Sequence, residues 1–144
     1  MTRMIVVLLV SLVASASAAA QQIVRYEAKG GFDAVKEDVV LAIQDQGLVI
    51  DYTSHIGAML ERTGKDVGSA RRIYDRAEAM IFCSAQLSRR TMEADPANIA
   101  WCPYAIALYA LPGKPGSVQV AYRRTLPEVD RLLDGIVRAA LGMK

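Results

Sequence analysis

Val24, Tyr26 and Ala28 alternate with Arg25, Glu27 and Lys29, the period-two pattern of a half-buried strand over residues 23–29. After Gly30-Gly31 the period lengthens. Phe32, Val35, Val39 and Ile43 recur at three and four residues, while Lys36, Glu37 and Gln44 fall between them. That spacing predicts an amphipathic helix over residues 32–46, with Asp33 at the positive end of its dipole and Gly47 ending it. Residues 48–55, rich in Val, Ile, Tyr and Thr, predict a second strand, and residues 56–63 a short helical turn ended by Gly64. A strand, a helix and a strand joined by tight turns predict a right-handed parallel unit.

Beyond a polar loop at residues 64–72 the pattern repeats, with a strand at 77–82, a helix at 84–94 and an apolar strand at 104–111. Ala105, Ile106, Ala107 and Leu108 leave that last strand no polar face, which predicts a central position covered by helices or by a partner. The turn signal Leu111-Pro112-Gly113-Lys114-Pro115-Gly116 joins it to Val118, Val120 and Tyr122, which alternate with Gln119 and Arg123 as the outer strand of a hairpin. Thr125-Leu126-Pro127-Glu128 has capping-box spacing, and Val129, Leu132, Leu133, Ile136, Val137 and Ala140 draw an apolar stripe along a closing helix at 126–141. The expected fold class is therefore α/β (α+β), a two-layer sandwich in the order β-α-β-(short α)-β-α-β-β-α. Its sheet is expected to be mixed, of about five strands, with helices on one face.

Residues 1–20 follow a different pattern. Arg3 precedes an apolar run at 5–13 broken only by Ser11, and the small residues at 15–20 offer cleavage after Ala20 or Ala18. The run falls short of the roughly 20 residues a membrane span needs, and no basic cluster follows it. The expectation is a cleaved secretory signal, a periplasmic location, no stable membrane anchor, and one domain over residues 21–144. Loss of Arg3 turns 17 basic against 15 acidic residues into 16 against 15. A nearly neutral surface gives no electrostatic reason to expect nucleic acid or an anionic membrane as partner.

Cys83 and Cys102 are the only cysteines. In an oxidising envelope a pair without a third favours a bridge, and closing the loop between them is worth about 3 kcal/mol in the chain-entropy model. A parallel crossover would instead set them at opposite ends of the sheet. Only a fold-back of residues 96–101, or antiparallel strands, would bring their Cα atoms within the roughly 7 Å a bridge needs. Unbridged, Cys83 just before the helix at Ser84 could be a thiolate stabilised by the helix dipole, or a buried small hydrophobe after Ile81-Phe82. No C-x-x-C motif supports a dithiol mechanism.

His55, the sole histidine, is the one obvious acid or base near neutral pH, although a strand-end histidine packed on the next turn serves equally well. Cys83, Cys102, His55 and Met80 would make a soft set suited to copper(I) or zinc if distant elements converged, which leaves any metal unknown. Trp101 and Tyr104 flank the second cysteine and, with His55, are candidates for lining a pocket. Lys65, Arg71 and Arg72 read as a solvated loop, because Gly64-Lys65-Asp66 lacks the upstream glycine and following Ser/Thr of a phosphate loop. No catalytic triad order, paired carboxylates or dinucleotide fingerprint gives positive support to an enzyme, and no cofactor is expected.

Gln46-Gly47, His55-Ile56 with Met59-Leu60, Cys83-Ser84-Ala85-Gln86-Leu87, Ala94-Asp95-Pro96, and Cys102 opening an apolar strand together resemble the bacterial domain of unknown function 302 family. The resemblance covers about residues 32–123, and it implies a small two-layer α/β domain without an assigned activity. The cysteine neighbours depart from the family pattern, since Ser84-Ala85 follow Cys83 and Pro103 follows Cys102. These readings converge on a non-catalytic module binding an unknown small molecule or envelope protein, with a homodimer allowed. The alternative is an envelope thiol, sulfur-handling or soft-metal protein using Cys83, with Cys102 and His55 as helpers.

Overall fold

The computed structural model describes residues 22–69 and 71–143; the leader expected at 1–20 lies outside the described residues. Ten elements follow one another: β1 (Ile23–Lys29), α1 (Phe32–Asp45), β2 (Ile50–Ser54), α2 (Ile56–Thr63), β3 (Arg76–Phe82), α3 (Ala85–Ala94), a 3-10 segment (Pro96–Trp101), β4 (Tyr104–Ala110), β5 (Ser117–Arg123) and α4 (Pro127–Ala140). They form the two-layer α/β sandwich that the hydrophobic pattern predicts.

The strand directions differ from expectation. The sheet runs β1-β5-β4-β3-β2 and every neighbouring pair is antiparallel, so it is not mixed. β1 and β2 do not pair at all; they occupy opposite edges, and α1 carries the chain across the sheet between them. The second expected parallel unit is absent for a reason visible in its connection. α3 leads away from the end of β3, but the 3-10 segment packs back against it, with the Asn98 amide donating to the Thr91 carbonyl at 2.9 Å. Ten helical residues advance about 15 Å, and six 3-10 residues return about 12 Å. The chain thus re-enters the sheet at the end where it left, and β4 runs back along β3 with Tyr104 opposite Phe82.

Register decides which side chains are buried. Tyr26, Val120, Leu108 and Glu78 form one row across four strands, and Val24, Tyr122, Ile106, Met80 and Thr53 form the next, all facing the helices. Phe32, Val35, Val39, Ala42 and Ile43 of α1, with Val129, Leu133, Ile136 and Val137 of α4, close over these rows. The opposite face carries Arg25, Ala121, Ala107 and Ala79 in a single row. β4 is central as expected, yet its outer face is only partly covered, with Ala105 exposed.

Asp134 fastens α4 to the sheet by accepting hydrogen bonds from the hydroxyls of Tyr26 and Tyr122. Burial and the neighbouring carboxylate push the Tyr122 phenol up. The expected capping box at Thr125 does not form, because Leu126 is the N-cap and Pro127 starts the helix. Thr125 instead donates its backbone N–H to Asp130 at 2.6 Å.

Candidate functional site

The antiparallel register of β3 and β4 brings the cysteines together. Cys83 follows Phe82, Cys102 nearly precedes Tyr104, and the two are joined as a disulfide with Cα atoms 6.4 Å apart and a sequence separation of 19. Ser84 accepts a hydrogen bond from the Leu87 N–H and so caps α3. Ser88 lies 3.1 Å from the buried Tyr104 hydroxyl and 3.7 Å from the Cys102 sulfur, and Tyr104 meets Phe82 edge-on. Tyr104 is core, whereas Trp101 and Ile99 are exposed on the 3-10 segment. Bridged sulfurs carry no thiolate, so the helix start has no charged sulfur to stabilise in this state.

His55 is at the other end of β3. It is the N-cap residue of α2, and its Nδ1 is 3.7 Å from a carboxylate oxygen of Glu78. Cys83 is five residue steps along the chain from Glu78, about 17 Å at the usual strand rise. The structure therefore does not unite His55 with Trp101 and Tyr104 as a pocket, nor with the cysteines as a soft metal set; Met80 is fully buried core. Among the described residues no cluster of three or more His, Cys, Asp or Glu side chains is placed to hold a metal ion.

Glu78 is buried between Lys36 of α1 and Arg76 of its own strand. Arg76 also pairs with Asp33 at 2.9 Å and lies over the Phe32 ring at 4.4 Å. Burial pushes the Glu78 carboxyl up, but the hydrogen bonds and charges of Lys36 and Arg76 outweigh it and hold it below the ordinary glutamate value. This cluster fastens α1 to the sheet. Its donors are already engaged.

A concave surface opens beside it. α2 lies along the edge of β3, so near that a Cβ on Gly57 would be 2.9 Å from the Ala77 backbone nitrogen. The chain then doubles back under α2, with Ser69 N–H donating to the Gly64 carbonyl at 2.7 Å and Gly68 N–H to the Lys65 carbonyl at 3.1 Å. A Cβ on Gly64 would sit 2.5 Å from the Ser69 oxygen, so glycine is required there by contact rather than by a left-handed backbone. Between α2 and this returning chain is a groove of about 290 Å³. Leu60, Val67, Ile73 and Tyr74 supply apolar surface, and Lys65, Arg71 and Arg72 supply positive charge.

By sequence this stretch is a solvated loop, and its basic residues are solvated. What the sequence does not show is the concavity. The available signal was the pair of apolar residues, Val67 and Ile73, set among those bases; both remain exposed in the fold.

A family model for the domain of unknown function DUF302 matches residues 24–134, a wider span than the resemblance alone suggested. No curated protein matches. Among solved structures, the chain is similar to an uncharacterized conserved DUF302 protein from Bacillus stearothermophilus. The two share 11% identity and a TM-score of 0.63, over 84% of this chain and 96% of that one. At that identity the likeness concerns the fold, and it agrees with the family match in covering nearly all of the sandwich. The chain belongs to the DUF302 family.

Proposed function

We propose that this DUF302 domain is an exported, non-catalytic binding module of the periplasm that takes a small ligand in the groove between α2 and residues 64–69 and 71–74. The groove carries this reading. It is a concavity in which apolar and charged groups converge, close to the lower size limit of small-molecule sites at about 300 Å³. Its walls are held by backbone hydrogen bonds, so little ordering is needed on binding. The bridge between Cys83 and Cys102 favours the same reading over a thiol-based activity, and the leader-like residues 1–20 support export.

Two measurements test this. Alkylation under non-reducing conditions, followed by mass measurement, is expected to find an intact bridge and a chain beginning at residue 21 or 19. Two free thiols with one reacting fast near neutral pH would favour the sulfur-handling alternative. A ligand-dependent thermal shift that disappears when Ile73 is changed to Asp is expected for the groove, and a shift indifferent to that change would place binding elsewhere.

A further inference from the structure

The lining of the groove also constrains what it can hold. It contains three basic side chains, Lys65, Arg71 and Arg72, against one acid, Glu61. In a chain whose charges otherwise nearly cancel, that is a local excess of two positive charges. The three bases are not equivalent. Arg72 is engaged by Asp75 at 3.4 Å and by the Tyr74 carbonyl at 3.3 Å. The side chains of Lys65 and Arg71 make no ion pair or hydrogen bond among the described residues, although Glu61 lines the same groove. The apolar part is similarly uncommitted, with Val67 75% and Ile73 47% exposed. An exposed apolar wall next to unpaired cations is complementary to a molecule that is apolar at one end and anionic at the other.

Resting on the binding reading above, we propose that the ligand is a small amphipathic anion, a carboxylate with a short apolar body. Lys65 and Arg71 hold the charged end, and Leu60, Val67 and Ile73 cover the rest. Inorganic anions lack the part that would displace water from the apolar wall, and neutral lipids lack the part that would meet the cations. The fixed turn closed by Ser69 and Gly64 positions Lys65, while the contacts of Arg72 keep it from competing for the ligand.

Titration of the isotope-labelled protein with octanoate, 1-octanol and acetate, followed through backbone amide shifts, tests this. Octanoate is expected to shift the amides of residues 64–69 and 71–74 saturably, with acetate and 1-octanol each at least about tenfold weaker. Raising the salt is expected to weaken octanoate and leave octanol unchanged. The double variant Lys65→Gln/Arg71→Gln is expected to keep the folded spectrum and lose octanoate about tenfold. If octanol equals octanoate, or the double variant binds as the parent does, the groove is still a binding site but its anion preference is refuted. If neither amphiphile shifts those amides, the proposal and the groove reading fall together.

Discussion

The two ends of β3 solve the same problem differently. At the Phe82 end, α3 and the 3-10 segment leave the sheet and return, and the chain is closed by a covalent bond between Cys83 and Cys102 over a packed pair of rings. At the Arg76 end, α2 with residues 64–69 and 71–75 makes a comparable excursion, held by backbone hydrogen bonds and by two glycines in close contact. The covalent end has its polar groups matched to one another, Ser84 to Leu87 and Ser88 to Tyr104. The other end also exposes apolar surface, as the 3-10 segment does at Ile99 and Trp101, but gathers it in a groove beside Lys65 and Arg71, whose side chains have no partner among the described residues. A closure that does not consume its side chains leaves them free to bind something else.

The sharpest way to break this comparison is to remove packing from each end in turn. Phe82→Ala is expected to destabilise the domain by about 3 to 5 kcal/mol, because Phe82 is fully buried and its cavity cannot collapse beneath the bridge. Ile73→Ala, on the groove wall, is expected to change stability by less than about 0.5 kcal/mol. Urea denaturation of both variants checks the pair, and comparable losses would mean that the groove wall is core rather than surface. Next in size is the bridge itself. Cys83→Ser/Cys102→Ser is expected to lower stability by about 3 kcal/mol, mainly by freeing the unfolded chain, and to leave octanoate-induced shifts intact. Lost binding in that variant would show that the two ends are coupled. Gly64→Ala is smaller and local. Forcing a Cβ against Ser69 is expected to cost about 1 to 3 kcal/mol, read as faster hydrogen exchange of the Ser69 amide than of β3.

The same contrast explains what was legible in the sequence. Hydrophobic pattern and composition located the strands and α-helices of the described residues, though not the 3-10 segment, because burial on one face imposes a period directly on Val24, Tyr26 and Ala28 or on Phe32, Val35, Val39 and Ile43. Strand direction was not legible in the same way. It depended on whether residues 96–101 were a slack linker or a 3-10 segment folded back on α3, and a single Asn98 contact to Thr91 carries that distinction. The disulfide followed from that one change. The groove was harder still, since it is made by the close approach of Gly57 to Ala77 and of Gly64 to Ser69, and nothing in a glycine's identity says which backbone it will touch. Sequence placed Lys65, Arg71 and Arg72 correctly on the surface; only the fold bends that surface inward.

Acid provides the smallest perturbation, and its best-defined target is a carboxylate buried at one end of β3. Glu78 anchors the Arg76 end, and its carboxyl is pushed up by burial but held lower overall by Lys36 and Arg76, below the ordinary value of 4.5. A folded-state value below the unfolded one means that the unfolded chain takes up the proton first as pH falls. The stability this provides is fully present above 4.5 and is lost as pH drops through the lower folded value. The disulfide at the other end does not titrate. Hydrogen-exchange protection, corrected for intrinsic rates, is therefore expected to fall faster at Ala77 and Glu78 than at Ile81 and Phe82 between about pH 5 and pH 3. Glu78→Gln keeps the shape but not the titration, and should abolish that difference in slope. Equal loss at both ends, or a glutamine variant with the parent's slope, would mean that the ionic cluster is not what secures the wall against which α2 and the groove are built.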